Sequence, residues 1–136
     1  MNLQLPVSTI MTTPVECVSP QQKILTLKHL YEQERFHRHI PVTEHGELTG
    51  MVSLVDYMRA IGDATLDDSE PVYSLKIVAD VMSFNPVSVS EDTSIAEVAA
   101  LLAKGEFSSV VVTRDNQVCG IVTATDMIRY FLQQQE

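Results

Sequence analysis

Two short segments of the chain are nearly the same: "GMVSLVD" at Gly50–Asp56 and "GIVTATD" at Gly120–Asp126. Each consists of a glycine, two apolar residues, a hydroxyl residue, two variable positions and an aspartate. They begin 70 residues apart (120 minus 50) in a chain of 136 residues. Similarity at a fixed spacing is typical of an internal repeat. The pair therefore predicts that the chain contains two copies of one structural unit.

The similarity extends to both sides of these segments. "TIMTTPVECVS" (Thr9–Ser19) aligns with "DVMSFNPVSVS" (Asp80–Ser90). "RHIPVTEHGELTGMVSLVD" (Arg38–Asp56) aligns with "SVVVTRDNQVCGIVTATD" (Ser109–Asp126) once one turn residue is gapped. The offset drifts between 70 and 72 residues, as small differences in loop length would produce.

Hydrophobic periodicity gives the elements of each copy. Apolar side chains recur at helical spacing in both copies, at Ile24, Leu27, Leu30 and Tyr31 and at Ile95, Val98, Ala99 and Leu102. Each helix is followed by two short β runs around a turn, a hairpin pattern, and the second run leads directly into another helix. We therefore expect an α+β fold of the α/β type, with two tandem β-α-β-β-α repeats related by pseudo-twofold symmetry.

The repeat and the local composition set the predicted boundaries. We expect a first repeat over residues 1–62, an acidic linker over 63–75 and a second repeat over 76–136. The segment "GDATLDDSE" (Gly62–Glu70) carries four carboxylates and no basic residue, which indicates a solvated connector. Half of a chain of this length buries little core alone, so the two copies are expected to pack together.

Composition excludes several classes of protein. Hydrophobic residues make up 45% of the chain, yet no run approaches the ~20 residues that span a bilayer, and the N-terminus resembles no signal peptide. We therefore expect a soluble cytoplasmic protein with no membrane partner. The net charge of −9 argues against a nucleic-acid partner, because phosphate-backbone binding needs a basic surface.

No catalytic or metal-binding set is recognisable. Cys17 and Cys119 have neither metal-ligand spacing nor a disulfide framework. The cysteines have no nucleophile context, and the sequence offers no paired carboxylates and no glycine-rich phosphate loop. His39 with Ser53 or Asp56 is the one imaginable acid–base group, and it is the disfavoured alternative. We predict a protein that is not an enzyme, with no metal and no obligatory cofactor.

The repeated motifs together resemble the CBS domain, and their tandem resembles a CBS-domain pair, or Bateman module. The resemblance rests on "IMTTPV" and "VMSFNPV" at the starts of the copies, on "RHIPV" and "SVVVT" in their middles, and on the two glycine-to-aspartate segments. It implies a regulatory sensor that binds AMP, ADP, ATP, NAD or S-adenosylmethionine in clefts between the repeats, and a homodimer. Since the repeats use the whole chain, we expect a stand-alone module that regulates an unknown protein partner in trans.

The hydroxyl–aspartate pairs, Ser53 with Asp56 and Thr123 with Asp126, are the first candidate ligand residues. Each pair is predicted where a strand leads into a helix, a natural place for a phosphate. Ser53 or Thr123 could donate to phosphate, and Thr125 adds a hydroxyl in the second copy only. The resemblance implies that each aspartate binds a ribose diol. The alternative is a capping box that stabilises the helix start without a ligand, and the two roles can coexist.

A basic pair, Arg38 and His39, is the second candidate. Arginine suits phosphate because its planar donors can bind two oxygens at once; the alternative is a solvated helix end. The second copy has Ser108 and Ser109 here, so the two sites are expected to differ. One could prefer a phosphorylated ligand and the other an uncharged adenosyl group, or one could be empty. Which basic residue serves which aspartate stays open.

The remaining candidates are mostly apolar. An adenine ring needs a flat apolar slot, and the predicted lining is "TTPV" (Thr12–Val15) and "FNPV" (Phe84–Val87), with Thr12, Val15 and Val87 as the main contacts, together with Ile40, Pro41, Val110 and Val111. The valines are also expected in the core. The apolar residues of the last helix in each copy, which are Tyr57, Met58, Met127, Tyr130 and Phe131, predict a dimer face. The alternative to a ligand sensor is a ligand-free structural or dimerisation module.

Overall fold

The computed structural model describes residues 1–33 and 38–134 and contains helices, strands and two short 3-10 turns. The helices are α1 (Ile24–Tyr31), α2 (Leu54–Ile61), α3 (Val72–Leu75), α4 (Ile95–Ala103) and α5 (Ala124–Gln133). The strands are β1 (His39–Glu44), β2 (Glu47–Ser53), β3 (Ser83–Phe84), β4 (Ser88–Ser90), β5 (Ser109–Arg114) and β6 (Gln117–Thr123). The 3-10 turns are Val7–Thr9 and Val78–Asp80.

The chain divides into two compact units, and the residues that form each unit differ from those of the two sequence copies. The continuous unit is Glu16–Asn85, and the split unit joins Met1–Val15 to Pro86–Glu136. The start of the first sequence copy therefore packs with the second copy. The boundaries predicted from the sequence, 1–62, 63–75 and 76–136, refer to the two copies of the repeat and not to these compact units. They remain a prediction.

The continuous unit is built on β1, β2 and β3, which pair antiparallel in that order. Val18 forms a single parallel bridge to Val42 where the repeat predicts a first strand. The apolar core consists of Val18, Ile24, Leu27, Tyr31, Ile40, Val42, Val52, Tyr57, Tyr73 and Val78. Of the four predicted helix positions, Ile24, Leu27 and Tyr31 are buried in it, and Leu30 is partly buried and packs against it.

The split unit repeats this plan with β4 parallel to β5 and β5 antiparallel to β6. Its apolar core consists of Val7, Val98, Val110, Val112 and Val122. The strand, helix, strand, strand, helix order predicted from the periodicity is confirmed in the second copy by β4, α4, β5, β6 and α5. The predicted mixed α+β fold with two tandem repeats is therefore confirmed.

The two hairpins match in register. His39 pairs with Ser53 in one, and Ser109 pairs with Thr123 in the other. Each has an irregularity at the corresponding place, between Val42 and Thr43 and between Val112 and Thr113. The two copies thus place equivalent residues at the start of the α2 and α5 helices.

The repeated glycine and the repeated methionine pack against each other. A Cβ on Gly50 would lie 2.7 Å from the Met82 sulfur and 2.9 Å from the Ser83 carbonyl oxygen. A Cβ on Gly120 would collide in the same way with the sulfur of Met11. Glycine is required at both positions because the methionine of the opposite sequence copy occupies the space of a side chain.

The acidic segment Gly62–Glu70 is attached to the continuous unit more firmly than its composition predicts. Asp63, Asp67 and Asp68 are exposed, as expected for a solvated segment. However, Tyr73 is fully buried, and its hydroxyl donates to the Thr65 carbonyl oxygen at 2.6 Å. One aromatic ring therefore fixes the end of this segment in the core of the continuous unit.

Among the described residues, no helix has the length and apolar character needed to cross a membrane.

Candidate functional site

The first hydroxyl–aspartate pair lies where β2 meets α2, in the continuous unit. Ser53 is the N-cap of the helix, and its side chain accepts from the Asp56 backbone N–H at 3.0 Å. The Asp56 carboxylate returns the contact by accepting from the Ser53 N–H at 3.2 Å through Oδ2. The capping box predicted as the alternative role is thus present. The Asp56 side chain keeps 28% of its surface exposed.

The second pair lies at the equivalent place in the split unit, where β6 meets α5. Thr123 caps the helix by accepting from the Asp126 N–H at 3.2 Å, and its own N–H donates to Asp126 Oδ2 at 2.9 Å. The Thr12 hydroxyl adds a donor from outside the motif, 3.3 Å from Oδ1 and 3.4 Å from Oδ2. Only 10% of the Asp126 side chain is exposed. Thr125 lies on the exposed first turn of α5.

The basic pair Arg38 and His39 lies beside the first hydroxyl–aspartate pair. The Arg38 carbonyl oxygen accepts from the Leu54 N–H at 2.8 Å, and His39 pairs with Ser53 across the hairpin. Arg38 is exposed and His39 is half-buried. Burial and the Arg38 charge lower the pKa of His39, against an opposing effect of the Asp56 carboxylate. The basic pair and Asp56 therefore share one electrostatic environment.

The split unit has two serines at the matched positions. The Ser108 carbonyl oxygen accepts from the Ala124 N–H at 3.2 Å, just as that of Arg38 accepts from Leu54. Ser109 pairs with Thr123, just as His39 pairs with Ser53. The equivalence inferred from the repeat therefore extends to these backbone contacts, and at these two positions the sites differ by two basic side chains.

The predicted adenine-lining residues are divided between the two units. Ile40 and Pro41 lie on β1 in the continuous unit, whereas Thr12, Val15, Val87, Val110 and Val111 belong to the split unit. Ile40 is 2% exposed, and Val110 and Val111 are fully buried. Val15 and Val87 are half-buried. The side chains of Ile40, Val110 and Val111 are thus core residues, and their lining role remains a prediction.

One residue near the sites, Ser83, was not singled out from the sequence. Ser83 pairs with Met51, the position matched by the Thr12–Ile121 bridge in the other unit. Its hydroxyl donates to the Met51 carbonyl oxygen at 3.1 Å rather than to an aspartate. Phe84 pairs with Gly50 and is 68% exposed. The alignment of "IMTTPV" with "VMSFNPV" contained the signal, since it sets Ser83 opposite Thr12.

One cluster has side chains that commonly bind metals. Ligand atoms of His29, Glu32 and Asp68 lie within 4.8 Å of one another on an exposed surface. The Lys28 ammonium lies 2.7 Å from Glu32 Oε1 and 2.6 Å from Asp68 Oδ1. Since a lysine cation already binds both carboxylates, this cluster is an internal ion-pair network.

The predicted dimer face is only partly available on the surface. Tyr57 and Tyr130 are buried, at 5% and 8% exposure, so they pack within their own units. Met58 and Phe131 are exposed, at 57% and 54%. Further large apolar side chains that are exposed on the same two helices are Val55 on α2 and Ile128 and Leu132 on α5. Each unit therefore presents an exposed apolar helix surface. Of the predicted residues it includes Met58 and Phe131 but not the two tyrosines.

Comparison with known proteins gives a family for both halves of the chain. The model of the CBS domain matches residues 7–63 and again residues 78–133. The CBS domain-containing protein YhcV of Bacillus subtilis is 31% identical over 121 residues, 89% of this chain and 81% of YhcV. Coverage of the curated relatives is uneven. This chain spans only 17% of an L-aspartate semialdehyde sulfurtransferase of Methanocaldococcus jannaschii, to which it is 30% identical over 95 residues.

Solved structures have the same fold. The crystal structure of CBSX2 in complex with AMP has a TM-score of 0.82 at 23% identity, covering 97% of this chain and 99% of that one. The CBS domain pair of protein MJ0100, in complex with 5'-methylthioadenosine and S-adenosyl-L-methionine, has a TM-score of 0.77 at 25% identity. In that comparison 96% of this chain and 98% of the other are covered.

Proposed function

The chain belongs to the CBS domain family as a tandem pair, and on this premise we propose that it is a regulatory module that binds an adenine nucleotide or a related adenosyl ligand. The observation that carries the proposal is the duplicated arrangement of a hydroxyl residue and an aspartate at a strand-to-helix junction. Ser53 with Asp56 and Thr123 with Asp126 have the same backbone environment in the two units. The ligands of the two similar structures, AMP in one and two adenosyl compounds in the other, support this class.

The chemistry of each junction suits a nucleoside. An ionised carboxylate is an acceptor with two oxygens, which matches the two hydroxyls of a ribose diol. In Asp56 the capping contact uses Oδ2, so Oδ1 is oriented by the helix while it retains accepting capacity. The cap holds the carboxylate in place, and the binding and capping roles are compatible.

The regulatory part of the proposal concerns how occupancy is sensed. A ligand that binds one conformation better than another shifts the population toward that conformation. We propose that an unknown protein partner in the cytoplasm reads this shift in trans, and that the module itself catalyses no reaction. The proposal concerns this chain and not the whole of its longer relatives.

A homodimer is part of the same proposal. The exposed apolar side chains of α2 and α5, with Met58, Ile128 and Phe131 each more than half exposed, would be covered by a second copy of the chain. We expect the wild-type chain to have the mass of a dimer in light scattering. Ile128→Glu is expected to give a monomer, and Gln117→Glu, at an exposed position of β6 outside both helices, is the control for added charge. A wild-type monomer at high concentration contradicts this part alone.

A ligand-free structural module is the second candidate. It is favoured by the complete capping boxes, which need no ligand, and by the low exposure of Asp126. A thermal-shift screen with AMP, ADP, ATP, NAD and S-adenosylmethionine separates the two candidates, because a ligand that prefers the folded state raises its apparent stability. We expect at least one compound to raise the Tm, with the binding checked by calorimetry. A folded protein that binds none of them overturns the proposed function.

A further inference from the structure

The two candidate ligand sites differ in charge at positions that are otherwise equivalent. Arg38 and His39 in the continuous unit stand where the split unit has Ser108 and Ser109, with the same backbone hydrogen bonds to the following helix. A change of two side chains on a matched backbone alters what the site binds more than how it folds. The phosphate end of a ligand is the group most sensitive to such a change.

The Arg38 guanidinium is available to a ligand. Arg38 is exposed, and within residues 1–33 and 38–134 no carboxylate forms an ion pair with it. The other arginine in the continuous unit that the structure describes, Arg59, lies 3.9 Å from Asp56 Oδ1. The chain has a net charge of −9, yet within the described residues Arg38 has no acidic partner. A planar guanidinium can bind two phosphate oxygens at once.

The two aspartates also differ in how far they are already occupied. The Thr12 hydroxyl lies within hydrogen-bond distance of both oxygens of Asp126. Its counterpart Ser83 donates instead to the Met51 carbonyl oxygen, and within residues 1–33 and 38–134 no hydroxyl makes such a contact with Asp56. The exposed fractions of the two side chains agree with this difference, 10% for Asp126 and 28% for Asp56. A ribose diol that approached Asp126 would have to displace a hydroxyl, whereas one that approached Asp56 would not.

From these two differences we infer that the Asp56 site is the one that takes a phosphorylated adenosine ligand, with Arg38 and His39 on its phosphate. The Asp126 site, with serines at the matched positions and Thr12 on its carboxylate, selects against phosphate. This inference rests on the proposed function and assigns a ligand class to each of its two sites. It predicts that the phosphate contributes to affinity through one unit only.

Isothermal titration with AMP and with adenosine tests the assignment, because the ratio of the two dissociation constants measures the contribution of the phosphate to affinity. We expect the wild-type chain to bind AMP at least about tenfold more tightly than adenosine, the size of one charge-assisted hydrogen bond. Arg38→Gln is expected to remove most of this ratio by weakening AMP binding and leaving adenosine binding within about twofold. Lys104→Gln removes the same charge from an exposed site in the split unit and is the matched control, expected to keep the ratio.

The aspartates supply the second arm. We expect Asp56→Asn to weaken AMP binding at least about tenfold more than Asp126→Asn does, with both variants checked for folding by their melting curves. An AMP-to-adenosine ratio that survives Arg38→Gln, or a larger loss of AMP in Asp126→Asn, overturns the assignment and leaves the proposed function standing. If the wild-type chain binds neither AMP nor adenosine nor any other adenosyl compound, the proposed function itself fails.

Discussion

The sulfur of Met82 lies 2.7 Å from the place where a Cβ on Gly50 would be, and the Ser83 carbonyl oxygen lies 2.9 Å from it. Gly50→Ala therefore forces the strand or the methionine to move. Because added atoms in a packed interior cost about 1–3 kcal/mol, we expect the free energy of unfolding to fall by about that amount in urea denaturation.

A double-mutant cycle distinguishes this contact from a general effect of alanine in a strand. Met82→Ala makes room beside Gly50, so the loss caused by Gly50→Ala should be smaller in the Met82→Ala background. The Ser83 carbonyl oxygen stays in place, so part of the loss should remain. Strict additivity of the two substitutions would show that Met82 is not what excludes a side chain at position 50.

This pairing also shows what the sequence could and could not predict. The repeated methionine and the repeated glycine were visible as a pattern, and the order of strands and helices followed from hydrophobic spacing. That Met11 packs on Gly120 and Met82 on Gly50, each across the two sequence copies, was not predictable. In a repeat, each methionine has two equivalent glycines as possible partners, one in its own copy and one in the other. The local sequence pattern does not indicate which of the two it contacts.

Thr12 holds the Asp126 carboxylate through a hydroxyl that Ser83 does not match. Thr12→Val keeps the shape and the β-branch but removes the donor, so we expect a loss of about 1 kcal/mol in the free energy of unfolding. Thr13→Val is the control, since Thr13 is exposed and its hydroxyl donates no hydrogen bond within the described residues. Equal stability of the two variants would argue against the Thr12–Asp126 contact.

His39 gives the unliganded protein a pH dependence. Burial first and the Arg38 charge second lower its pKa below the ordinary 6.5, so the unfolded chain binds its proton more readily than the folded one. The free energy of unfolding should therefore fall as the pH drops through 6.5 toward the lower folded value, and recover as the pH rises.

Denaturation of the wild-type chain and of His39→Gln on both sides of pH 6.5 measures this contribution. The difference between the two proteins isolates His39 from the other histidines. We expect wild type to lose stability relative to His39→Gln on the acid side. A difference that stays constant with pH would mean that the pKa of His39 is the same in the folded and unfolded states.

The sequence was enough to predict which residues form the candidate site, but not all of the contacts between them. Ser53, Asp56, Thr123 and Asp126 follow from motif and spacing alone, and so does the capping geometry that they adopt. The donation from Thr12 to Asp126 joins residues 114 positions apart, which no local pattern encodes. The lower exposure of Asp126 accompanies that contact, so it too emerged only from the folded structure.

Asp68 ties the acidic segment to α1 by accepting from Lys28 at 2.6 Å and contacting His29 at 2.9 Å. The hydrogen bond from Lys28 and then that from His29 lower the pKa of Asp68 below its ordinary 3.8. Because the folded pKa is depressed, the stabilisation is complete above 3.8 and is lost as the pH falls through the lower folded value.

We therefore expect Asp68→Asn to melt below the wild-type chain at neutral pH and to converge with it in strong acid. Asp63→Asn is the matched control, since Asp63 is an exposed acid of the same segment and forms no ion pair with the residues that the structure describes. Melting curves followed by circular dichroism across the acid range measure both. If Asp68→Asn and Asp63→Asn melt alike at every pH, the ion pairs with Lys28 and His29 add nothing to the attachment of the acidic segment.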